Sequence, residues 1–553
     1  MTRHTFAGYS SYRDQPSQSQ GGFRQHLSET LEEARFPAII VAGVLGLGLL
    51  IAAWFEGLGV LATLDLIFRG FAHIWMPLLL ISVAVPLGLA LGRSEYHDIL
   101  QEGRAEDRLI GRGRIVIIAV VIVALAGAAN VFLLQGYLTD RQNLEGSTTV
   151  DETTSYAERA PWSVAENYAS RDQGDVVGER DGAHFVPAAK DAAAEDGEGT
   201  SRYTALVKGR AFLGMTGYSA VQVMDMPTTG SIPGGASTYC EMPETMNKRL
   251  TSFWPWHSLA WSIGAKAPLS HFNGDDAYGY CDGDDPVVVV PLFKYEGFWA
   301  LRKVPAGAAV YTADGLRILS GEELAEEGVE GPTYPRSVAI TQRKAYNSGG
   351  GWGSWISDRY GYDLTSKDAE DSNAGNTSEF TLIGDDGEMQ YVTPLVPKGT
   401  SQSITAVSSV PAQQGAEGGN GLTITTSPDL GSTSTITTAI KESSVQGDSS
   451  WTTRWSAGMG VYEILPGKDG HWVASIGQGQ AVSYRADIAP DGTVVVTNAD
   501  TGASSDSPAK DDAPEGTASS GKPLSEMTDK ELLDTIQQAT EELQKRESEG
   551  SDG

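Results

Sequence analysis

The chain has 553 residues, a formal net charge of −31 at pH 7 and only two cysteines. The acid excess lies almost entirely after residue 136, because residues 1–136 contain ten arginines, no lysine and eleven acidic residues. A strongly acidic region is repelled by nucleic acid and by anionic lipid, so the composition disfavours nucleic acid as a partner of the large carboxy-terminal part, and we expect none.

The amino-terminal quarter predicts a membrane anchor. After a polar tail over 1–35 come three apolar stretches, Phe36–Phe55, Phe71–Leu91 and Arg114–Gly136, each long enough to cross a bilayer as a helix. We therefore expect a three-helix transmembrane anchor over 36–136, in a multi-pass protein of the cell membrane whose first partner is the lipid bilayer. No acidic or basic side chain lies in the middle of a span, which favours anchoring over transport.

The distribution of arginine predicts which side of the membrane each segment occupies. Basic residues near membrane spans favour the cytosolic side. The connector between the first two spans has one arginine, Arg69, whereas the tail has four and the connector before the third span has five, counting Arg114. We expect a cytosolic amino terminus and an extracytoplasmic carboxy-terminal region, as in a bacterial envelope protein. In that oxidising compartment Cys240 and Cys281 are expected to form a disulfide.

Turn signals predict that the large region is mainly β, of β-meander or α+β type. Four Asp-Gly pairs, at 314–315, 386–387, 469–470 and 491–492, lie between apolar runs and offer the positive φ angles of tight hairpins. The last two pairs predict a three-stranded meander over Tyr462–Val496. Leu422–Thr426 and Thr435–Ile440 alternate as exposed strands would, and a short helix is expected at Trp162–Tyr168.

Composition divides the chain after the anchor into five sections. They are an acidic tether over 137–201, a β-rich disulfide-containing part over 202–400, a Ser/Thr/Gly-rich part with the β-meander over 401–500, a disordered linker over 501–524 and an amphipathic helix over 525–548.

The sequence contains no recognisable catalytic motif and predicts no cofactor. An acidic turn is a candidate for binding Ca²⁺, although its spacing does not fit an EF-hand and a solvated turn is the preferred interpretation. Its carboxylates are Asp275, Asp276, Asp282, Asp284 and Asp285.

Aromatic residues are the second notable feature. We expect most of them, including Phe253, Trp254, Trp256 and Trp261, to form the core of the domain. A partner surface is expected instead at Trp352 and Trp355, which lie in the glycine-rich stretch GGGWGSW, and on the apolar stripe of the last helix, which includes Leu532, Ile536 and Leu543.

These patterns favour a non-enzymatic, membrane-anchored envelope protein that presents a β-rich module to an envelope protein or glycan. Two alternatives stay open. One is an extracytoplasmic hydrolase of wall polymer or peptide, which paired carboxylates in a deep cleft would favour. The other is an accessory subunit of a membrane complex. The sequence does not indicate the oligomeric state.

Overall fold

A computed structural model describes isolated positions between 43 and 129 and most of residues 133–505. Within the second range the description omits 152–154, 172–177, 181, 188–199, 210–214, 229, 232–236, 298–299, 366–379, 416–420, 428–429, 444–449, 480 and 500–503. The second predicted span and the predicted helix over 525–548 lie outside the described residues. Among the residues that are described, no helix is both long enough and apolar enough to cross a membrane.

Twenty strands and seven α-helices are described between residues 148 and 498. The first eleven strands are β1 (Thr148–Val150), β2 (Glu179–Arg180), β3 (His184–Phe185), β4 (Thr200–Lys208), β5 (Tyr218–Pro227), β6 (Gly230–Ser231), β7 (Ser237–Glu241), β8 (Tyr278–Asp282), β9 (Asp285–Glu296), β10 (Arg302–Thr312) and β11 (Gly315–Leu319). The others are β12 (Tyr362–Leu364), β13 (Phe380–Ile383), β14 (Met389–Pro397), β15 (Ala406–Pro411), β16 (Thr423–Thr426), β17 (Gly460–Pro466), β18 (Trp472–Gln478), β19 (Ala481–Ile488) and β20 (Val494–Asn498). The helices are α1 (Trp162–Arg171), α2 (Leu259–Lys266), α3 (Gly321–Glu326), α4 (Arg336–Ala345), α5 (Trp352–Ile356), α6 (Thr433–Glu442) and α7 (Trp451–Ser456).

The strands form four sheets, so the predicted mainly-β class is confirmed. Sheet I has the order β1-β16-β15-β14-β12, with β13 also on β14, and β1 is parallel to β16. Sheet II has the order β2-β4-β5-β7, with β3 on β4, and sheet III has the order β11-β10-β9-β8. Sheet IV has the order β17-β18-β19-β20, with β6 on β19.

Each of the four Asp-Gly pairs lies between two paired antiparallel strands, as the turn chemistry predicts. Gly315, Gly387, Gly470 and Gly492 all have positive φ, between 77° and 114°. The meander has four strands rather than three, however. A further turn at Gly479, with φ of 68°, separates β18 from β19, and the sequence offers no Asp-Gly signal there.

Two short predictions for the Ser/Thr-rich part have different outcomes. Leu422–Thr426 contains a strand, β16, but Ile424 is fully buried because the strand lies between β1 and β15. Thr435–Ile440 is not a strand and belongs to α6. The Ser432 side chain caps this helix by accepting a hydrogen bond from the Thr435 N–H, and Ile436 and Ile440 are buried one turn apart.

The predicted acidic tether is folded wherever it is described. It contains β1, the predicted short helix (α1), β2 and β3, and α1 buries Val164, Ala165 and Tyr168. Its acidic composition concealed this, because a short helix needs only a few apolar residues on one face to pack.

Sheet I lies between two hydrophobic cores, which explains why the residues of its strand β14 are mostly apolar on both faces. Tyr391 and Leu395 on β14 join a core shared with sheet II, α1 and α4. Val392 and Val396 on the opposite face join a core shared with sheet IV, α6 and α7. Successive strand side chains point to opposite faces, so a sheet covered on both sides needs apolar residues at both sets of positions.

Candidate functional site

The first candidate is a joint between the end of a helix and the start of β10. Residues 133–143, which begin inside the third predicted span and extend beyond it, are helical. The Asn143 amide donates to the Leu301 carbonyl over 3.1 Å and accepts from the Lys303 N–H over 2.9 Å. The Leu301 N–H donates to the Thr139 hydroxyl over 3.3 Å. These bonds fix the helix end directly on the β-rich domain.

Trp355 on α5 contacts the same helix. Its indole N–H donates to the Asp140 carboxylate over 2.7 Å, and its ring packs against Gly136 and edge-on to Tyr137. Burial raises the pKa of the Asp140 carboxyl, and the hydrogen bond from Trp355 opposes that shift. Trp355 therefore contacts a partner within its own chain, whereas Trp352, with 44% of its surface exposed, remains available on the outside.

Residues from the connector between the first two predicted spans reach the same part of the domain. The Arg69 guanidinium donates to the carbonyls of Tyr295 and Gly297, each over 3.2 Å. Asp65 pairs with Arg69 at 2.7 Å and lies 3.8 Å from the His271 imidazole, which stacks on Phe293 of β9. This connector and the 133–143 helix thus both contact the β9–β10 hairpin.

A cavity of about 440 Å³ lies between the helix end and this hairpin. Its lining includes Leu133, Gly136, Asp140, Tyr295, Lys303 and Trp355. Burial lowers the pKa of the Lys303 ammonium, whose closest aromatic neighbour is the ring of Phe293 at 5.2 Å.

The second candidate is a charged cleft of about 290 Å³ that is lined by residues from sheets I, II and IV and from segments outside the sheets. Its lining brings together side chains that are far apart in the sequence. They come from the segment before α1 (Arg159), from β3 (His184), from the short 3₁₀ turn Gly274–Asp276 (Asp275 and Asp276), from the first turn of α4 (Arg336) and from β17 (Glu463).

A buried ion pair lies in this cleft. The Arg159 guanidinium and the Glu463 carboxylate are 3.1 Å apart, and their side chains are only 3% and 2% exposed. The Glu463 carboxylate also accepts the Trp162 N–H over 2.7 Å, and Arg159 donates to the Tyr203 hydroxyl. Burial raises the pKa of the Glu463 carboxyl, and the charge of Arg159 lowers it. A buried pair with these additional hydrogen bonds is held in one geometry.

The other polar groups of the cleft include a neutral imidazole and a hydrogen-bonded carboxyl. Burial, with a smaller effect from Arg336, lowers the pKa of His184 to about 4, so its imidazole is neutral at pH 7. Asp276 accepts hydrogen bonds from the Ser337 N–H at 3.2 Å and the Ser337 hydroxyl at 2.7 Å. Burial raises the pKa of this carboxyl.

The five aspartates proposed for Ca²⁺ lie in two separate places. Asp275 and Asp276 border the charged cleft, whereas the other three, Asp282, Asp284 and Asp285, are exposed on the turn between β8 and β9. In the part of the chain that the structure describes, no three His, Cys, Asp or Glu side chains are grouped so as to hold a metal ion. The five aspartates therefore do not lie close enough together to act as one set of metal ligands.

The predicted disulfide is present between Cys240 on β7 and Cys281 on β8, with a Cα–Cα distance of 6.1 Å. It connects sheet II to sheet III. The prediction that the aromatic residues at 253–261 form the core is wrong. Phe253, Trp254 and Trp261 are half-buried and Trp256 is 60% exposed, since the nearby core is filled by aliphatic residues of β5 and β9 together with α2.

Sequence reasoning missed the charged cleft. Arg159, His184, Arg336 and Glu463 belong to no motif, and their segments are brought together only by tertiary packing. Of the residues proposed as a partner surface, Leu532, Ile536 and Leu543 lie outside the described residues.

Comparisons with known proteins do not assign either candidate. No family model matches the sequence, and no match is found among the curated proteins or the solved structures.

Proposed function

We propose that the chain is a membrane-anchored protein of the cell envelope that presents a non-enzymatic, β-rich extracytoplasmic module for binding or assembly. Three apolar spans would anchor it, and the positions of the arginines favour a cytosolic amino terminus. The envelope component that it binds is expected to be a protein or a glycan. The acidity of the module argues against nucleic acid.

The observation that carries this proposal is the shared contact on the β9–β10 hairpin. In a three-span topology, the first connector and everything after the third span lie on the same side of the membrane. Arg69 of that connector and Asn143 after that span both bond to this hairpin. This contact supports the shared side of the first connector and the β-rich domain that three spans require, whereas the choice of the extracytoplasmic side rests on the arginines.

The joint also indicates how the module would be held. Asn143, Thr139 and Trp355 connect the helix end to the domain through direct hydrogen bonds. A module attached in this way keeps a fixed orientation relative to its anchor, which suits binding to a partner in the same envelope. The disulfide agrees with an oxidising compartment.

Protease treatment of whole cells tests the proposed sidedness. We expect protease added to intact cells to digest a full-length chain that carries an epitope tag at its carboxy terminus, and a tag at the amino terminus to survive until the cells are lysed. Protection of the carboxy-terminal tag in intact cells would contradict the proposal. Trapping of free thiols before lysis gives a second readout, since Cys240 and Cys281 should be oxidised in cells.

The hydrolase alternative needs two carboxylates that are free to act on a substrate. In the charged cleft Asp276 is bonded to Ser337, and Glu463 is bonded to Trp162 and Arg159. These bonds favour fixed positions over proton transfer, so we keep binding as the proposed function. The accessory-subunit alternative is tested by crosslinking in intact membranes, where a constant stoichiometric membrane partner would support it.

A further inference from the structure

We propose that the charged cleft binds a single neutral saccharide unit. This inference deepens the proposed function by naming the class of ligand, and it rests on that function only for its setting in the envelope. The cleft itself is defined by residues of the folded domain: Arg159, Trp162, His184, Asp275, Arg336 and Glu463.

The charges of the cleft favour a ligand without net charge. Two guanidinium groups, from Arg159 and Arg336, face the carboxyl groups of Glu463, Asp275 and Asp276. His184 contributes no charge at pH 7 because its pKa is lowered to about 4. A cleft whose positive and negative groups nearly balance gives no net attraction to an anion or a cation.

The hydrogen-bonding groups favour hydroxyl groups. Guanidinium groups only donate, carboxylates only accept, and a hydroxyl can do both, so a ring carrying several hydroxyls can bond to each kind of neighbour. The Arg159 side chain is only 3% exposed, so Arg336, which is half-buried, is the more accessible of the two guanidinium donors.

Aromatic side chains complete the site. Trp162 lines the cleft and is 39% exposed, and its indole N–H is already bonded to the Ala183 carbonyl over 2.6 Å. What Trp162 offers a ligand is therefore ring surface, on which the C–H face of a pyranose can stack. Phe185, Phe380 and Tyr391 add apolar surface to the lining.

The size of the cleft limits the ligand to one ring. Its volume of about 290 Å³ is just below the range for small-molecule sites, which is about 300–1,000 Å³. The buried ion pair and the Ser337 bonds to Asp276 hold several of its polar groups in place before any ligand arrives. A preformed polar site loses less entropy on binding.

The test is saturation-transfer NMR and calorimetry on the full-length protein, purified in a detergent without a sugar headgroup. The probes are glucose, galactose, mannose and N-acetylglucosamine, with glucuronate and glucosamine as charged comparisons. We expect saturable binding of at least one neutral sugar with a Kd on the order of 1 mM. Trp162→Ala and Arg336→Gln should each weaken binding by roughly tenfold or more.

Trp256→Ala is the matched control, because Trp256 is more exposed than Trp162 and does not line the cleft. It should bind the sugar as the wild type does. Arg336→Gln leaves the Arg159–Glu463 pair intact, so it tests the site even if Trp162→Ala fails to fold. An intact disulfide and an unchanged melting temperature confirm folding of each variant.

Three results would overturn the inference: no binding of any neutral probe up to about 50 mM, binding of only the charged probes, or unchanged binding in both folded cleft variants. Because the assay uses purified protein, its outcome is independent of the protease experiment. Sugar binding by a chain whose large region proves cytosolic would remove the envelope role and leave the cleft assignment standing.

Discussion

Arg159 and Glu463 differ from the surface ion pairs of this protein in what surrounds them. Their side chains are almost completely buried, whereas those of Arg317 and Glu327 are 56% and 36% exposed. Removing one member of a buried pair leaves the other charge without compensation in a region of low polarity. The same removal at the surface leaves a charge that water solvates.

Glu463→Gln is therefore expected to lower the free energy of unfolding by about 3–5 kcal/mol. Urea denaturation of the full-length protein, followed by far-UV circular dichroism, measures the change. Glu327→Gln is the control and should leave the urea midpoint unchanged. The double variant Arg159→Met/Glu463→Leu should be more stable than Glu463→Gln, because it removes both charges. Equal midpoints for Glu463→Gln and the wild type would refute the argument.

His184 predicts a dependence of stability on pH. Its folded-state pKa of about 4 lies below the unfolded value of about 6.5, so between these values the unfolded chain binds a proton that the folded chain does not. The contribution of His184 to stability is thus present above about pH 6.5, falls as the pH drops to about 4, and is constant below that.

A comparison with His184→Gln isolates this contribution. The carboxyls of Asp276 and Glu463 have raised pKa values, so their contributions change in the opposite direction as the pH falls. The wild type and His184→Gln both retain these carboxyls. We expect the stability of the wild type relative to His184→Gln, measured from urea midpoints, to decline between about pH 6.5 and 4. Parallel pH profiles would show that His184 titrates normally.

At the scale of elements, Gln414 replaces a missing strand partner. β10 has a bulge between Pro305 and Ala308, and Gly307 within it has a φ of 81°, a conformation that favours glycine. The buried Gln414 side chain accepts from the Gly307 N–H over 2.9 Å and donates to the Gly307 carbonyl over 3.0 Å. One side-chain amide thus pairs with both polar groups of the bulged residue.

Gln414→Leu should lower the free energy of unfolding by about 2–3 kcal/mol, because both backbone groups of Gly307 lose their partner in the interior. Its neighbour Gln413 is exposed, so Gln413→Leu is the matched control and should have little effect. Thermal denaturation of the two variants in parallel measures the difference. A similar loss in both would mean that the pairing with Gly307 adds no stability.

The disulfide gives a prediction about the packing of two sheets. It closes a loop with a sequence separation of 41, which corresponds to roughly 4 kcal/mol on the chain-entropy model. Cys240→Ser/Cys281→Ser should lower the free energy of unfolding by about this amount. A reductant should lower the free energy of unfolding of the wild type by a similar amount. The same reductant should not change the melting temperature of the double variant. A further decrease there would indicate an effect other than disulfide cleavage.

Local chemistry predicted the four Asp-Gly hairpins, whereas the helix at Thr435–Ile440 and the charged cleft could not be predicted in this way. An Asp-Gly pair carries its own turn preference, so the turns at 315, 387, 470 and 492 could be placed from neighbouring residues alone. Thr435–Ile440 alternates over too short a run to distinguish a strand from a helix, and its capping residue, Ser432, decides. The charged cleft depends on how sheets I, II and IV pack together, which no local pattern encodes.

For the whole molecule, the joint at Asn143 determines how firmly the helix end and the domain are connected. Asn143→Ala removes the acceptor of the Lys303 N–H and the donor to the Leu301 carbonyl. Hydrogen exchange of the Lys303 amide should then accelerate by about five- to tenfold, which corresponds to the roughly 1 kcal/mol of one hydrogen bond. Mass spectrometry of the protein in lipid nanodiscs measures it. Asn167→Ala on the exposed face of α1 is the control, and an unchanged rate in Asn143→Ala would contradict the joint.

Because β1 pairs in parallel with β16, β1 cannot pair during synthesis until β16 has been translated. Thr148 and Thr423, whose hydroxyls are 3.2 Å apart, are separated by 275 positions. A ribosome working at about 5–20 residues per second delivers the later strand long after the earlier one. Throughout that interval the first strand after the helix has no neighbour to pair with, and its exposed edge is open to pairing with another chain. Slow translation or early termination before residue 423 should therefore favour association between nascent copies.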